Sequence, residues 1–543
     1  MPDGMPHPKM IISRHGCDTG LKIIYVCRQL GIRSTMNVTR ESWMKLDNLE
    51  WGARSLVALV AIAALAGCTD EKIVYRDKPL FEEAPATAAG FVGYRDNTTK
   101  ETTCGSCHVE VAGEWKETKH AGAWATLQAN PGKKGYCEAC HSVNNNGNGK
   151  ADTLAGFRTT KSTRFQDVQC ESCHGAGLTH VTNPNKTNVP LVSLKATSGF
   201  SNGCGSCHSG VHNPFIDEWK LSGHGTMALS KNSAWRASAD SAYCQGCHTG
   251  QGALKNWGVA ARTNYKEKNK GPGDTLTITC AICHDPHAKD NPAQLRFSIS
   301  VNNTEQNLCM KCHNRRSVPD PTSTRGPHSA EGAFLTGEAG WVPPGMEIPG
   351  GVARIQSTHG SVANPRLCAG CHVAKYTVTD ATGAFVQNVT GHRFLPTPCV
   401  DANGAPTVSQ TCTDVQRSFK SCTGSGCHGS ENAARSAESI ALTRIRNLAI
   451  ETNRLVALAK VARPTEFSIT DNKITTGEGS AFNSAAAYNP TSGAMTGNTV
   501  HNPYLMEALL TASIAQLKKD YGLAVTVGLD LSNTYLNKPL GGN

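Results

Sequence analysis

The C-terminal part of the chain has the clearest periodic pattern of apolar residues. Residues 433–462 and 503–521 each carry apolar side chains at helical spacing, and Pro464 marks where the first of these segments stops. The sequence therefore predicts two amphipathic helices near the C-terminus. The apolar positions are Ile445, Leu448, Leu455 and Ala459 in the first helix, and Leu505, Leu509, Ile514 and Leu517 in the second.

Much of the remaining chain is rich in Gly, Asn, Thr and Pro, which favour turns and irregular backbone. Residues 314–366, for example, contain Pro319, Pro321, Pro343, Pro344 and several glycines, and are expected to form an extended loop. Only 39% of the 543 residues are hydrophobic and 6% are aromatic, so side-chain packing alone would struggle to offset the chain entropy. We therefore expect a mainly α-helical fold with much irregular loop, in which bound groups form part of the core.

A short apolar run near the N-terminus predicts an export signal. Met44 and Lys45 open a basic region, an apolar run follows, and Leu65-Ala66-Gly67-Cys68 ends it. This is the pattern of a lipoprotein signal peptide over residues 44–67, with Cys68 as the lipid-modified first residue. A transmembrane helix is the alternative, but about 12 apolar residues are too few to span a bilayer.

The segments on either side of the signal follow from this interpretation. Residues 1–43 would be a non-native upstream extension that carries no fold. Residues 68–103 are polar and contain Ala and Pro, which predicts a tether between the lipid and the folded body. The mature protein would be exported and lipid-anchored, at the periplasmic face or on the outer surface of the outer membrane.

A five-residue motif, Cys-x-x-Cys-His, occurs eight times, and a ninth site has four residues between its cysteines instead of two. Two thiols at the regular spacing reach both vinyl groups of one porphyrin, and the next residue places an imidazole under the iron. The sequence therefore predicts covalently attached haem c, nine in all. Numbered 1 to 9 in chain order, the motifs are Cys104, Cys107 and His108; Cys137, Cys140 and His141; Cys170, Cys173 and His174; Cys204, Cys207 and His208; Cys244, Cys247 and His248; Cys280, Cys283 and His284; Cys309, Cys312 and His313; Cys368, Cys371 and His372; and Cys422, Cys427 and His428.

Other chemistry of paired cysteines fits the pattern less well. A single Cys-x-x-Cys is compatible with half a zinc site, a redox dithiol or part of a disulfide framework. None of these requires a histidine directly after the second cysteine in every copy. Of the 23 cysteines, five lie outside the motifs. Cys17 and Cys27 precede the predicted signal peptide, Cys68 is the predicted lipidation site, and Cys399 and Cys412 could form a disulfide. Cys412 is also an alternative to Cys422 as the first thiol of motif 9.

Nine further histidines are candidates for the second axial ligand of each iron. Two of them lie five residues after a tryptophan, three follow a proximal histidine within six residues, and His212-Asn-Pro recurs as His501-Asn-Pro. The methionines show no comparable pattern and are expected to be packing residues. Two imidazoles per iron would give low-spin, six-coordinate centres suited to electron transfer. The candidates are His120, His180, His212, His224, His287, His328, His359, His392 and His501.

The first six motifs form an internal duplication. Cys-Gly-Ser-Cys-His occurs at residue 104 and at residue 204, and each copy is followed by Glu-Trp-Lys and two more motifs. Such repeats stack on their neighbours when they cannot bury their own surfaces. We expect three-haem modules at residues 104–200 and 201–300, a three-haem part at 301–428, and a helical region at 429–543.

The net charge of +10 would ordinarily suggest a nucleic-acid or anionic-membrane partner. Removing residues 1–67 leaves a chain with a net charge of +7. The propionates of nine haems would then make the holoprotein negative. We therefore predict no nucleic-acid partner.

Several motifs resemble those of the multihaem cytochrome superfamily of pentahaem nitrite reductase, octahaem tetrathionate reductase and hydroxylamine oxidoreductase. The resembling segments are Val168-Gln-Cys170-Glu-Ser-Cys173-His174-Gly175 with His180, Cys283-His284-Asp285-Pro286-His287 running on to Gln294-Leu295-Arg296, and the Trp-to-His spacers. The resemblance implies a mostly helical fold around closely stacked haems. The reductases of this group mark their catalytic haem with a lysine, whereas every motif here ends in histidine. The resemblance therefore concerns fold and cofactor.

Our first hypothesis is a membrane-anchored electron carrier without catalytic residues, which exchanges electrons with other cytochromes or quinol-linked donors in anaerobic or extracellular respiration. A second is a reductase of small nitrogen or sulfur oxyanions with one open haem, for which the irregular motif 9 is the first candidate. A third is a homo-oligomer that forms a conductive filament. The third predicts that a histidine is donated between subunits.

Overall fold

The computed structural model divides the chain into two units, residues 1–80 and 81–543. None of the helices it describes is both long enough and apolar enough to cross a membrane. The described residues are 20–26, 33–39, 90–144, 146–148, 156–190, 203–230, 241–259, 276–288, 290–320, 326–343, 354–424, 427–467, 476–487 and 494–532.

The first unit contains an antiparallel hairpin, β1 (Gly20–Val26) and β2 (Arg33–Thr39). The prediction that residues 1–43 carry no fold is therefore wrong, because both strands lie inside that segment. The predicted signal peptide and the lipidation site Cys68 lie outside the described residues. Both remain predictions.

The second unit is mainly helical with long irregular connections, which confirms the predicted fold class. Its described strands form two antiparallel pairs, β3 (Tyr94–Asp96) with β4 (Glu101–Thr102) and β5 (Tyr376–Thr379) with β6 (Phe385–Val389). The described helices are α1 Val109–Lys116, α2 Ala123–Ala129, α3 Phe157–Thr160, α4 Cys170–His174, α5 Leu178–Thr182, α6 Phe215–Lys220, α7 Gly223–Ser230, α8 Ser241–His248, α9 Gly250–Asn256, α10 Cys280–Cys283, α11 Glu331–Thr336, α12 Cys368–His372, α13 Lys420–Thr423, α14 Glu431–Ala462, α15 Thr476–Ala487, α16 Ala494–His501 and α17 Pro503–Tyr521.

Residues 90–103 do not form the predicted tether. Phe91 and Val92 are fully buried and pack with Phe165 in a small apolar cluster. The backbone N–H groups of Val92 and Gly93 donate to the carboxylate of Glu171 at 2.9 and 2.7 Å. These bonds join the segment to motif 3, so the folded body begins before the first motif.

Residues 314–366 are not the predicted uninterrupted loop. They contain the short helix α11, whose Phe334 is fully buried in the same apolar cluster as α14 and α17. The prediction of a loop failed because the apolar residues Ala333-Phe334-Leu335 form a buried helical turn. The prolines and glycines around them indicate irregular backbone and outweighed this short apolar signal. The helix also carries Glu331 to motif 7.

The C-terminal helices form the main side-chain core of the described residues. Helices α14, α15 and α17 pack together, and the two amphipathic helices predicted from the sequence are confirmed with all eight of their apolar positions buried. Ser430 caps α14 by accepting a hydrogen bond from the N–H of Ala433 at 3.1 Å. Inside the bundle, the buried carboxylate of Glu507 accepts a hydrogen bond from Arg444 Nε at 2.8 Å, which compensates for burying the charge.

This packing predicts a strong position dependence within α14. Leu448→Ala should destabilise the C-terminal bundle by about 2–5 kcal/mol, because it leaves a cavity in a closed core. Leu448 is 0% exposed, whereas Leu458 of the same helix is 43% exposed. Leu458→Ala should therefore change stability by less than about 0.5 kcal/mol. Denaturant unfolding followed by circular dichroism measures both; equal effects would contradict the packing.

Candidate haem sites

The regular motifs fold into short helical turns that place both thiols and the imidazole together. In motifs 1, 4, 6 and 7 the N–H of the histidine donates to the carbonyl of the first cysteine at 2.9–3.0 Å. Motif 9 closes in the same way despite its longer spacing, since His428 N donates to Cys422 O at 3.2 Å. Motif 2 differs, because His141 N donates to the carbonyl of Glu138 at 3.2 Å instead.

The disulfide partner of Cys412 bears on motif 9. The structure joins Cys399 to Cys412, as expected for an oxidising compartment. The eighteen motif cysteines, Cys422 and Cys427 included, form no disulfide. This arrangement favours Cys422 over Cys412 as the first thiol of motif 9.

A connected cavity of about 2550 Å³ runs along most of the motifs. Ligand pockets for single small molecules are about 300–1,000 Å³, so this volume suits several large groups. Fifteen of the eighteen proximal and distal candidates line it, and His108, His180 and His212 do not. The wall therefore carries most of the histidines and motif cysteines that c-type haem needs.

The histidines on this wall face one another in pairs. An iron between two imidazoles, with N–metal distances of about 2.0 Å, separates the ring centroids by about 6 Å. Eight proximal histidines have another imidazole at 5.9–6.5 Å, and each partner is one of the nine predicted distal candidates. The pairs are His108 with His180, His174 with His287, His208 with His120, His248 with His328, His284 with His392, His313 with His224, His372 with His501, and His428 with His359.

Backbone carbonyls fix the orientation of several rings. Nδ1 of His141, His174, His284 and His372 lies 2.7–2.9 Å from a carbonyl oxygen. With Nδ1–H donating, Nε2 is left unprotonated and available to iron. Burial also lowers the pKa of His208, His224 and His392 to about 4. These rings are therefore neutral at physiological pH, which is the form that binds iron.

Motif 7 has a carboxylate where other motifs have a carbonyl. Glu331 Oε2 lies 3.4 Å from Nδ1 of His313. Burial alone would lower the pKa of His313, but the Glu331 carboxylate raises it above its usual value. The N–H of Gly332 donates to His313 O at 2.8 Å, and a Cβ at position 332 would lie 2.8 Å from that oxygen. The glycine therefore permits the close approach that brings Glu331 to the ring.

The two copies of the repeat hold their tryptophans in equivalent ways. The indole N–H of Trp115 donates to the carbonyl of Val168, and that of Trp219 to the carbonyl of Ile278, at 3.1 and 2.9 Å. Each carbonyl lies two residues before the third motif of its module. The Trp-to-His spacing in the sequence thus corresponds to a repeated structural contact, which places His120 and His224 alike.

Residues outside the motifs position other distal histidines. Glu218 accepts hydrogen bonds from the N–H groups of Thr390 and His392, both at 2.7 Å. Asn502 caps α17 by accepting from Leu505 N at 3.0 Å, and its amide donates to the carbonyls of Phe334 and Ile355. The Asn-Pro pair after His501 was a sequence signal for this cap. No local signal identifies Glu218 or Glu331, because their partners are distant in sequence.

Thiols of different motifs lie close to one another, in an order that differs from chain order. The thiols of motifs 1 and 3, 4 and 6, 7 and 8, 2 and 4, and 5 and 7 are near enough to shift each other's pKa. The residues are Cys104 with Cys170, Cys204 with Cys280, Cys309 with Cys368, Cys140 with Cys207, and Cys247 with Cys312. Groups attached at these motifs would be close neighbours.

Comparisons with known proteins agree with this site. A family model described as "Doubled CXXCH motif" matches residues 275–317, and one described as "Cytochrome c554 and c-prime" matches residues 103–175. The C-type polyheme cytochrome OmcB of Geobacter sulfurreducens, in two strains, is 23% identical over 301 residues, which cover 49% of this chain and 35% of OmcB. The chain thus spans about a third of the length of these relatives.

Among solved structures, the outer cell wall cytochrome OcwA is similar over 79% of this chain and 100% of its own, with 16% identity and a TM-score of 0.47. The motifs and the matching family models together carry the assignment. They show that the chain binds haem c at several motifs, and that it is a multihaem c-type cytochrome.

Proposed function

We propose that the protein is a nine-haem electron carrier in which eight irons are held between two histidines. The observation that carries this proposal is the set of eight imidazole pairs at 5.9–6.5 Å. Bound haem c would supply one-electron chemistry at each motif. The chain contributes neutral, oriented imidazoles, whose coordination changes little between the ferric and ferrous states.

The neighbouring motifs support a continuous route for electrons. The thiol contacts link motifs 1 and 3, 4 and 6, and 7 and 8. Cys173 lies near Cys204, Cys283 near Cys309, and Cys371 near Cys422, which connects these pairs to one another and to motif 9. The proposed route is 1-3-4-6-7-8-9, with motif 2 as a branch from 4 and motif 5 as a branch from 7.

The proposed location is outside the cytoplasm, with a lipid at Cys68. The signal-like sequence over residues 44–67, which ends at Cys68, supports this. Partners would be other redox proteins at the two ends of the route. All eight imidazole pairs of the described residues form within one chain.

Glu331 would set motif 7 apart from its neighbours in potential. A carboxylate that accepts the Nδ1–H of an iron-bound imidazole increases the negative charge on the ring and stabilises the ferric state. Motif 7 lies where the route meets the branch to motif 5. A low-potential haem there would slow electron flow in the middle of the route. It would stay ferric until the neighbouring haems were reduced.

The thiols of motif 9 give a direct test of haem number. Replacing Cys422 and Cys427 with serine should reduce the haem content by one per chain, because their thioethers hold the ninth haem. Replacing the disulfide cysteines Cys399 and Cys412 should leave the content unchanged. Intact mass and pyridine haemochrome content per chain measure both variants. Loss of a haem on replacing Cys412 alone would contradict the assignment.

Glu331→Gln should raise the midpoint potential of one haem by on the order of 60 mV, which is a tenfold change in the preference for the ferric state. The amide keeps the shape of the side chain and removes the charge. Glu305→Gln is the matched control, since it removes an exposed carboxylate from the loop before the same motif. Spectroelectrochemical titration measures both proteins; equal shifts would exclude a specific effect through His313.

A further inference from the structure

Two of the eighteen candidate ligands remain outside the paired set. All eighteen lie among the described residues, sixteen of them form the eight pairs, and His141 and His212 are left. Within the described part of the chain, no imidazole stands 5.9–6.5 Å from the ring of His141. The sequence predicts His212 as one of the nine distal ligands, so this prediction and the observed pairs differ at His212.

His212 is held elsewhere by contacts to the β5–β6 hairpin. Its exposed ring stacks on Phe385 with a centroid distance of 4.9 Å and an angle of 7°. Asn388 of β6 fixes the backbone beneath the ring, because its side-chain amide donates to His212 O and its N–H donates to Val211 O, both at 2.9 Å. These contacts keep the ring on the protein surface and away from the cavity that His141 lines.

His141 is nevertheless prepared to bind iron. Its Nδ1 lies 2.7 Å from the carbonyl of Ala123, which leaves Nε2 as the metal-binding nitrogen. The ring lines the cavity, and the thiol of Cys140 contacts that of Cys207 in motif 4. Apart from the backbone bond from His141 N to the carbonyl of Glu138, motif 2 therefore resembles the other haem sites on its proximal side.

Methionines of known position do not replace the missing imidazole. Met310 and Met506 are both fully buried in apolar clusters, the first with Leu335 and Leu367 and the second among the C-terminal helices. The side chains of the remaining candidate methionines, Met227, Met346 and Met495, lie outside the described part, so the experiment below includes a readout for a thioether ligand.

We infer that the haem of motif 2 has an open sixth coordination position that binds small exogenous ligands. The inference rests on the proposed function, since it requires that the motif carries haem. It moves the open site from motif 9, where the sequence placed it, to motif 2. The irregular motif 9 has a histidine pair, His428 with His359 at 6.3 Å, whereas the regular motif 2 has none among the described residues.

The position of motif 2 on the proposed route gives the open site a use. Motif 2 contacts motif 4 and forms a branch, so a ligand bound there would not interrupt the route from motif 3 to motif 6. Electrons would reach the bound molecule through a single neighbour. The ligand class is a small Lewis base: an anion such as cyanide on ferric iron, or carbon monoxide on ferrous iron.

The test is low-temperature electron paramagnetic resonance of the ferric holoprotein, quantified against haem content and repeated with cyanide. We expect one high-spin haem per chain that becomes low-spin with cyanide, and one carbon monoxide bound per reduced chain. His212→Ala should leave both values unchanged. His359→Ala is the positive control, because removing the partner of His428 should add a second high-spin haem.

Three results would overturn the inference and leave the proposed carrier intact. These are nine low-spin haems in the unaltered protein, a new high-spin haem in His212→Ala, or the near-infrared charge-transfer band of a methionine ligand. A protein that lacks covalently bound haem altogether would instead overturn the proposed function. Intact mass, measured on the same sample, separates the two kinds of failure.

Discussion

Eight pairs of imidazoles about 6 Å apart, the spacing that an iron between two histidines would require, organise most of this chain. Outside the C-terminal bundle, the apolar clusters of the described residues are small and separate. The histidine pairs join segments that are distant in sequence: His174 meets His287 from the next module, and His372 meets His501 at the end of α16. In the proposed carrier, axial coordination would replace much of the long-range hydrophobic packing of an ordinary domain of this size.

The C-terminal bundle contributes to this arrangement by presenting ligands. Asn502 ends the segment that carries His501 and begins α17, and its amide is tied to carbonyls of Phe334 and Ile355. The carbonyl of Val500 accepts from Nδ1 of His359 at 2.7 Å. One turn of backbone therefore orients the partners of both His372 and His428, so the bundle fixes the end of the proposed route.

Features encoded locally could be predicted from the sequence. The two helices with apolar faces were found with boundaries close to those observed, and the motif turns follow from their cysteine spacing. The pairing of histidines could not be predicted, since it depends on segments meeting in space. Three other features could not be predicted for the same reason. They are the β5–β6 hairpin that holds His212, the contact between Glu331 and His313, and the packing of residues 90–103. Motif 9 is irregular in its cysteine spacing, which the sequence shows. Its backbone hydrogen bond from His428 N to the carbonyl of Cys422 matches the regular motifs, and only the structure shows this bond.

The direction of the histidine pairs also constrains how the protein is made. His174, His284 and His372 find their partners in later segments, at His287, His392 and His501 respectively. In the proposed exported carrier, a chain delivered across a membrane from its N-terminus would expose haem attachment sites before their second ligands arrive. Five of the eight pairs would be completed by a later segment, and the last of these waits for α16. Maturation of these five centres would then be ordered by translocation, and truncation near the C-terminus would leave an incomplete centre far upstream.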